Sequence, residues 1–288
     1  MERKISDLLS EGVEILTTSS PSSRLDAEIL LGYILNFNKT ELVIHRNDLF
    51  SDAQRTWYLD LIKRRQLGEP IAYLIGSKEF FGRDFWVTPA TLIPRPETEH
   101  LIEEALKHPS LFKNDRLSIL DLGTGTGAII ITLILELRKQ GLNVRGIATD
   151  ISADALKVAA ENAKKLGVAD LIEFRQGYWW QPIKSEETFS IVVSNPPYIS
   201  IHDKNVSPGT RFEPASALYA GEDGLKDYRD ILSGLCSHLQ APALFLGEFG
   251  ATQGVSVKAL AEQFCPKAKI KLGFDLAGLE RFISLQFG

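Results

Sequence analysis

The residues of this chain best equipped for chemistry are Asn195-Pro196-Pro197-Tyr198, at the end of the apolar run Phe189-Ser190-Ile191-Val192-Val193-Ser194. Each proline fixes its own φ, carries no backbone N–H and pushes the residue before it into an extended conformation. The turn therefore presents the Asn195 side-chain amide and the Pro196 carbonyl as fixed acceptors, with no competing donor from either proline. Such a pair suits a planar amide or an exocyclic –NH2, whose nitrogen is a poor nucleophile because its lone pair is delocalised. Two acceptors that hold its hydrogens favour a pyramidal nitrogen aimed at an electrophile, and Tyr198 can stack on the planar group. Pro-Pro after a strand is also an ordinary loop stop. Asn195 and the strand before it favour a methyl-transfer site instead.

A second cluster, Asp121-Leu122-Gly123-Thr124-Gly125-Thr126-Gly127, follows a strand and opens a helix. Its glycines allow a tight turn and close approach of a nucleotide-like ligand to the backbone. Asp150 ends the next strand, where an acid in such folds accepts hydrogen bonds from ribose hydroxyls. Gly123 to Ala128 also fits the dinucleotide pattern Gly-x-Gly-x-x-Gly/Ala, so a nicotinamide oxidoreductase remains an alternative on this loop alone. Trp179 and Trp180 fall in a loop that faces the same crevice, where one of them can stack on an adenine or both can serve as core packing.

The elements that position these groups read as two regions and a connector. Up to residue 67 the apolar spacing is helical, as in Leu8, Leu9, Ile15, Leu16, then Ala27, Leu30, Leu31, Ile34, then Trp57, Leu61, Ile62. Ser23 or Asp26 is a candidate cap for the second helix, Ser51-Asp52 starts the last, and Gly68-Glu69-Pro70 ends it. The expected organisation is a helical domain over residues 1–70, a β-hairpin linker over 71–95 around Phe80-Phe81-Gly82, and a catalytic domain over 96–288. Strands are expected at 117–122, 144–149, 172–175, 189–194 and 243–248, with helices at 128–138, 153–166, 225–238 and 253–264 between them, and a closing strand pair near 269–272 and 281–287. This alternation is that of an α/β, doubly wound, mostly parallel sheet with helices on both faces. The closing pair has no room for a crossover helix, so it forms an antiparallel hairpin at the edge. Gly loop, Asp150 and Asn195 to Tyr198 then all sit at carboxyl ends of parallel strands, along one crevice. A hydride-transfer enzyme has no use for an amide-binding turn there, whereas a sulfonium methyl donor facing an amide nitrogen does.

Composition narrows the classes further. The 288 residues are 44% hydrophobic with a net charge of −5, which argues against a general duplex-DNA binder. The run Lys63-Arg64-Arg65 reads as a solvated, dipole-favoured helix end. The charged start of the chain lacks the apolar core of a secretory signal, and no apolar run approaches the roughly 20 residues of a membrane span. A cytoplasmic, monomeric protein is expected. Cys236 and Cys265 lack metal-ligand spacing and read as buried small apolar side chains, and the five histidines form no cluster, so no metal is expected.

These motifs, with Pro70-Ile71-Ala72-Tyr73-Leu74-Ile75-Gly76, Leu92-Ile93-Pro94-Arg95-Pro96-Glu97-Thr98-Glu99, Phe212-Glu213-Pro214 and Gly221-Glu222-Asp223-Gly224-Leu225, give a specific resemblance. The chain resembles the peptide chain release factor N5-glutamine methyltransferases, the HemK-like or PrmC family, over most of its length. The resemblance implies a seven-stranded Rossmann-like S-adenosylmethionine-dependent methyltransferase domain behind a small helical bundle. It implies that the cofactor is held by Gly123, Thr124, Gly125, Thr126, Gly127, Asp150 and an aromatic best matched to Trp179, with Asn195 contacting both ligands. It implies that Asn195, Pro196, Pro197 and Tyr198 hold the glutamine of a Gly-Gly-Gln motif in a class 1 release factor, which the helical domain helps to dock. Tyr178 departs from the small or acidic residue often found beside the adenine. The alternatives are an adenine-N6 methyltransferase, which wants a basic face and a recognition domain, and a silent cofactor-binding module, against which the intact Asn195-Pro196-Pro197-Tyr198 argues.

Overall fold

The computed structural model of the protein describes residues 4–108, 116–204 and 206–288. The expected helical domain thus has its first three residues outside the described ones. By packing, the chain divides into one unit up to Ser77 that includes Ser207–Phe212, and a second made of Lys78–Val206 and Glu213–Gly288.

The first unit is helical: α1 (Ile5–Leu16), α2 (Ser23–Leu35), α3 (Lys39–Ile44), α4 (Asp52–Gln66) and α5 (Ile71–Ile75). Two starts are set by reciprocal capping, in which side chain and backbone exchange hydrogen bonds across three residues. Asn38 caps α3 with Glu41 returning to its N–H, and Ser51 caps α4 with Gln54 returning in the same way. Neither Ser23 nor Asp26 caps α2. Asp26 is buried and accepts from Ser20 Oγ at 2.6 Å and Arg65 Nε at 2.7 Å, so an inward carboxylate takes a guanidinium partner rather than a helix end. Two of the three basic residues at 63–65 are held this way, for Arg64 pairs with Glu69. Leu8, Leu16, Leu30, Leu31, Tyr58 and Ile62 make the core. The expected boundary near Pro70 stops short of α5: Pro70 stands just before its first residue, where a missing N–H costs nothing, and Leu74 joins the helical core.

The hairpin β1 (Ser77–Phe80) and β2 (Arg83–Trp86), which from Lys78 on belongs to the second unit, turns at Phe81-Gly82, and a 3-10 turn at Pro96–Thr98 runs into α6 (Glu99–Leu106). Strands and helices then alternate: β3 (Arg116–Leu122), α7 (Ala128–Lys139), β4 (Asn143–Asp150), α8 (Ala153–Lys165), β5 (Ile172–Gln176), β6 (Phe189–Ser194), α9 (Lys226–Leu235), β7 (Leu239–Glu248), α10 (Gly254–Phe264), β8 (Lys269–Phe274) and β9 (Glu280–Phe287). Among the described residues they form a seven-stranded sheet of order β5-β4-β3-β6-β7-β9-β8. The strand pairs from β5 through β7 are parallel, β9 runs antiparallel to β7, and β8 closes the edge as its hairpin partner. The fold is the expected α/β, doubly wound, Rossmann-like sheet with helices on both faces.

One face is buried by α6, α7 and α8 through Leu101, Ile130, Ile134 and Ala163, the other by α9 and α10 through Tyr228, Leu232, Val257 and Ala261. Helix α9 is shorter than expected because its last residues, Cys236–His238, tighten into a 3-10 turn. Of the two cysteines Cys265 is buried, but Cys236 is exposed, with the sulfurs 3.1 Å apart. No described helix is long and apolar enough to cross a membrane.

Candidate active site

Register decides which residues meet. Leu122, the last residue of β3, lies between Thr149 of β4 and Ser194 of β6. The next residue along each chain is Gly123, Asp150 and Asn195, so the three expected site segments leave the sheet side by side. They do so where the winding reverses, since β3 continues to β4 on one side and is flanked by β6 on the other. A cavity of about 410 Å³ opens there, within the range of ligand sites.

The cofactor side is made mostly by backbone. The amides of Gly123 and Thr124 both donate to the Thr149 carbonyl, at 2.9 and 2.8 Å, which folds the loop back over β4. Asp150 accepts from the Gly125 amide and the Ser152 amide, each at 2.9 Å. Burial raises its carboxyl above the ordinary range against the pull of these amides. Behind it Asp121, fully buried, accepts from Thr124 Oγ1 at 2.7 Å, and desolvation pushes its carboxyl up to about 7. Gly127, at φ +79, has no room for a Cβ, which would stand 2.8 Å from Ile131 Cδ1. Gly125, at φ +55, has nothing within 4 Å of that position and faces open space.

Tyr178 and Trp179 both line the cavity. The Trp179 ring lies against Gly123, and its indole donates to Asp227 Oδ1 at 3.1 Å. Tyr178 donates to Asp230 at 2.6 Å and to Asp227 at 3.1 Å. Trp180 is not a lining residue. It stacks on His238 at 4.9 Å and donates to the Ile231 carbonyl, holding α9.

The acceptor side is made by side chains from distant segments. Asn195 and Pro197 line the cavity, while Pro196 is buried and neither it nor Tyr198 is among the lining residues. Asn195 donates through Nδ2 to Thr98 Oγ1 at 3.1 Å, and Thr98 donates to Glu248 Oε2 at 2.5 Å. The Tyr198 hydroxyl lies 3.4 Å from the other oxygen, Oε1. Glu248 ends β7 and is buried, and loss of solvation pushes its carboxyl up to about 7. The opposite wall, from Leu92 to Arg95, is tied to the loop after β6 by Glu213, which accepts from Arg95 at 2.5 Å and from the Ile93 amide at 3.2 Å.

All the residues expected from the sequence to bind ligands therefore gather at these strand ends, with Pro196 and Tyr198 behind the cavity wall. Thr98, Glu248 and Asp227 were missed as site residues. A signal existed for Glu248, an acid at the carboxyl end of a strand, where Asp150 was noticed for the same reason.

Fold and site define a class before they define a family. Residues 113–247 match the family described as "Methyltransferase domain". The hMettl16 catalytic domain, solved in complex with MAT2A 3′UTR hairpin 1, superposes with a TM-score of 0.57 at 16% identity over 90% of this chain and 91% of that one, a likeness of fold alone. The protein is a Rossmann-like methyltransferase. Residues 7–76 match the family described as "PrmC N-terminal domain". Curated proteins named release factor glutamine methyltransferase are similar over nearly the whole chain. That of Aliivibrio fischeri is 39% identical, covering 98% of this chain and 96% of its own. That of Neisseria gonorrhoeae is 41% identical, covering 90% and 91%. The chain belongs to the release factor glutamine methyltransferase family.

Proposed function

We propose that this chain transfers a methyl group from S-adenosylmethionine to the side-chain amide nitrogen of the glutamine in the Gly-Gly-Gln motif of class 1 release factors, acting in the cytoplasm as a monomer. The observation that carries the reading is the shared cavity: the glycine loop and Asp150 form one side, Asn195 and Pro197 the other. Family membership supplies the acceptor.

The residues present fit the cofactor. Open space beside Gly125 admits a ligand against the backbone, and Asp150 retains lone pairs beyond its two amide contacts for ribose hydroxyls. Gly123 to Gly127, Asp150 and Trp179 are assigned the cofactor, with the Trp179 ring against its adenine. S-adenosylmethionine, when bound, supplies a methyl group activated by the sulfonium. The protein's part is to hold the acceptor: Asn195 Oδ1, on the cavity side, accepts one amide hydrogen, while Pro196 and Tyr198, behind the wall, shape the turn that presents it. The nitrogen gains a methyl group and releases one proton to solvent, so no general base is required. The helical domain is assigned the docking of the release factor.

The test is incubation with S-adenosylmethionine and a class 1 release factor, followed by peptide mass mapping. One added methyl on the Gly-Gly-Gln glutamine, absent with Asn195→Ala, is the expected result. Cofactor binding without that methyl would overturn the reading and turn attention to adenine amino groups.

A further inference from the structure

The chain Asn195–Thr98–Glu248 has a direction, and the direction bears on function. An ionised carboxylate accepts hydrogen bonds only. Glu248 therefore obliges the Thr98 hydroxyl to spend its single proton on Oε2, at 2.5 Å. The lone pairs left on Thr98 Oγ1 can only accept, so they take the Asn195 Nδ2 hydrogen at 3.1 Å. With Nδ2 committed, Oδ1 has no donor among the described residues, and Asn195 lines the cavity. An asparagine amide has nearly the same shape in either flip, so packing alone does not choose between them. Hydrogen-bond polarity does.

We infer that Thr98 and Glu248 are positioning residues that fix the flip of the Asn195 amide, so that its oxygen and not its nitrogen meets the acceptor –NH2. This rests on the proposed function and deepens it: the site selects an acceptor that donates a hydrogen to Asn195 Oδ1. The wrong flip would set an N–H donor against that –NH2.

The carboxylate sits where few groups compete for it. Tyr198 from the loop after β6 approaches Oε1, Thr98 from the turn before α6 holds Oε2, and Tyr228 of α9 donates to the Glu248 carbonyl at 2.8 Å. Burial raises the carboxyl most, the Thr98 hydrogen bond lowers it, and Glu97 raises while Arg281 of β9 lowers it further, leaving it at about 7. Burial and Glu248 raise the neighbouring Tyr198 hydroxyl, and Arg281 and Arg95 pull it down by less. Once protonated, Glu248 can donate to Thr98, which frees Thr98 to donate to Asn195 Oδ1. The polarity then loses its anchor, and turnover should fall as pH drops through about 7.

The test compares the full chain with Thr98→Val, Thr98→Ser and Glu248→Gln, using S-adenosylmethionine and a class 1 release factor. Thr98→Val removes the relay hydroxyl and should lower kcat about 10- to 100-fold, with KM for the release factor and affinity for the cofactor nearly unchanged. Thr98→Ser keeps the hydroxyl and should restore most of the rate. The wild-type kcat should show an acid limb near pH 7 that is lost in Glu248→Gln, whose amide does not ionise, a readout that stands if Thr98→Val fails to fold. Wild-type kcat in Thr98→Val, equal losses in Thr98→Val and Thr98→Ser, or an acid limb that persists in Glu248→Gln would each overturn the inference. A wild type that leaves the glutamine unmethylated would instead overturn the function on which it rests.

Discussion

The two sides of the cavity are built by opposite means. On the cofactor side the contacts are loop amides, gathered on a carbonyl and a single carboxyl of one strand end: Gly123 and Thr124 on the Thr149 carbonyl, Gly125 and Ser152 on the Asp150 carboxyl. On the acceptor side they are side chains from segments far apart, with Thr98 and Glu248 separated by 150 positions. The first construction depends on loop shape and one carboxyl, and suits a ligand common to many methyltransferases. The second has to discriminate one nitrogen from others, and it does so with an amide whose orientation depends on partners elsewhere in the fold. Binding and selection should therefore separate under mutation.

The largest separation is expected between Asn195→Ala and Asp150→Ala. Removing an acceptor that acts at the reacting nitrogen should cost about 100-fold or more in kcat, with cofactor affinity by calorimetry close to wild type. Asp150→Ala removes a carboxyl acceptor from the cofactor side and should weaken cofactor binding about 10-fold or more, with turnover at saturating cofactor far less affected. If both variants lose binding and turnover in the same proportion, the two sides are one unit and the contrast fails.

Two glycines sharpen the same contrast within the cofactor side. A Cβ at Gly127 would press on Ile131 and Ala159 as well as strain the backbone, so Gly127→Ala should cost about 1–3 kcal/mol of stability. Gly125→Ala shares the backbone strain of a positive φ but meets no protein atom within 4 Å, so its methyl group enters ligand space, and it should lose less stability than Gly127→Ala and more cofactor affinity. Thermal melting with and without S-adenosylmethionine distinguishes the two.

The same difference in construction explains what was legible in the sequence. Glycines at fixed spacing after an apolar run and an acid at the next strand end are contiguous signals, and Asp150, Gly123 to Gly127 and Asn195 meet in the structure because strand register carries them there. The sheet class followed from alternation. That β8 rather than β9 takes the edge did not, because either order satisfies an antiparallel pair. Helix α5 was hidden by its shortness and by Pro70, which reads as a stop when it stands as a start. Asp26 reads as a cap until Arg65 is seen beside it, and Glu248 reads as a strand-end acid until Thr98 arrives from a different segment. Periodicity reports which face is buried but not which polar groups meet beneath it.

The acceptor side should also leave a mark on stability. The Glu248 carboxyl is raised from 4.5 to about 7 by burial, so between those values the folded state binds a proton that the unfolded chain has released. Its contribution is fully present below about pH 4.5 and is lost as pH rises through about 7. Asp121 follows the same sign, from 3.8 to about 7. Glutamine at 248 does not ionise, so the Tm of Glu248→Gln relative to wild type should rise between pH 5.5 and pH 8, by about 2–4 °C for each kcal/mol recovered. A constant difference across that range would show that Glu248 is not buried as a titrating acid. Should the rise accompany the loss of the acid limb in kcat, the charged state that orders Asn195 is also the one that burdens the fold.

The smallest effect is expected on the cofactor side from side chains that only back the loop and do not carry the ribose acceptor. Tyr178 donates to Asp227 and Asp230, while Asp227 also receives the Trp179 indole. Burial raises the Asp227 carboxyl, and these two donors pull it back down. Tyr178→Phe removes one donor and leaves Trp179 in place, so Trp179 should stay seated on Gly123 and cofactor affinity should fall only about threefold, in keeping with one neutral donor lost at a partly solvated site. Trp179→Phe should cost more, since it takes away both the indole donor and ring area that covers Gly123. A larger loss from Tyr178→Phe than from Trp179→Phe would reverse the order and show that the Tyr178 hydroxyl, through Asp227 and Asp230, governs cofactor affinity more than the Trp179 indole does.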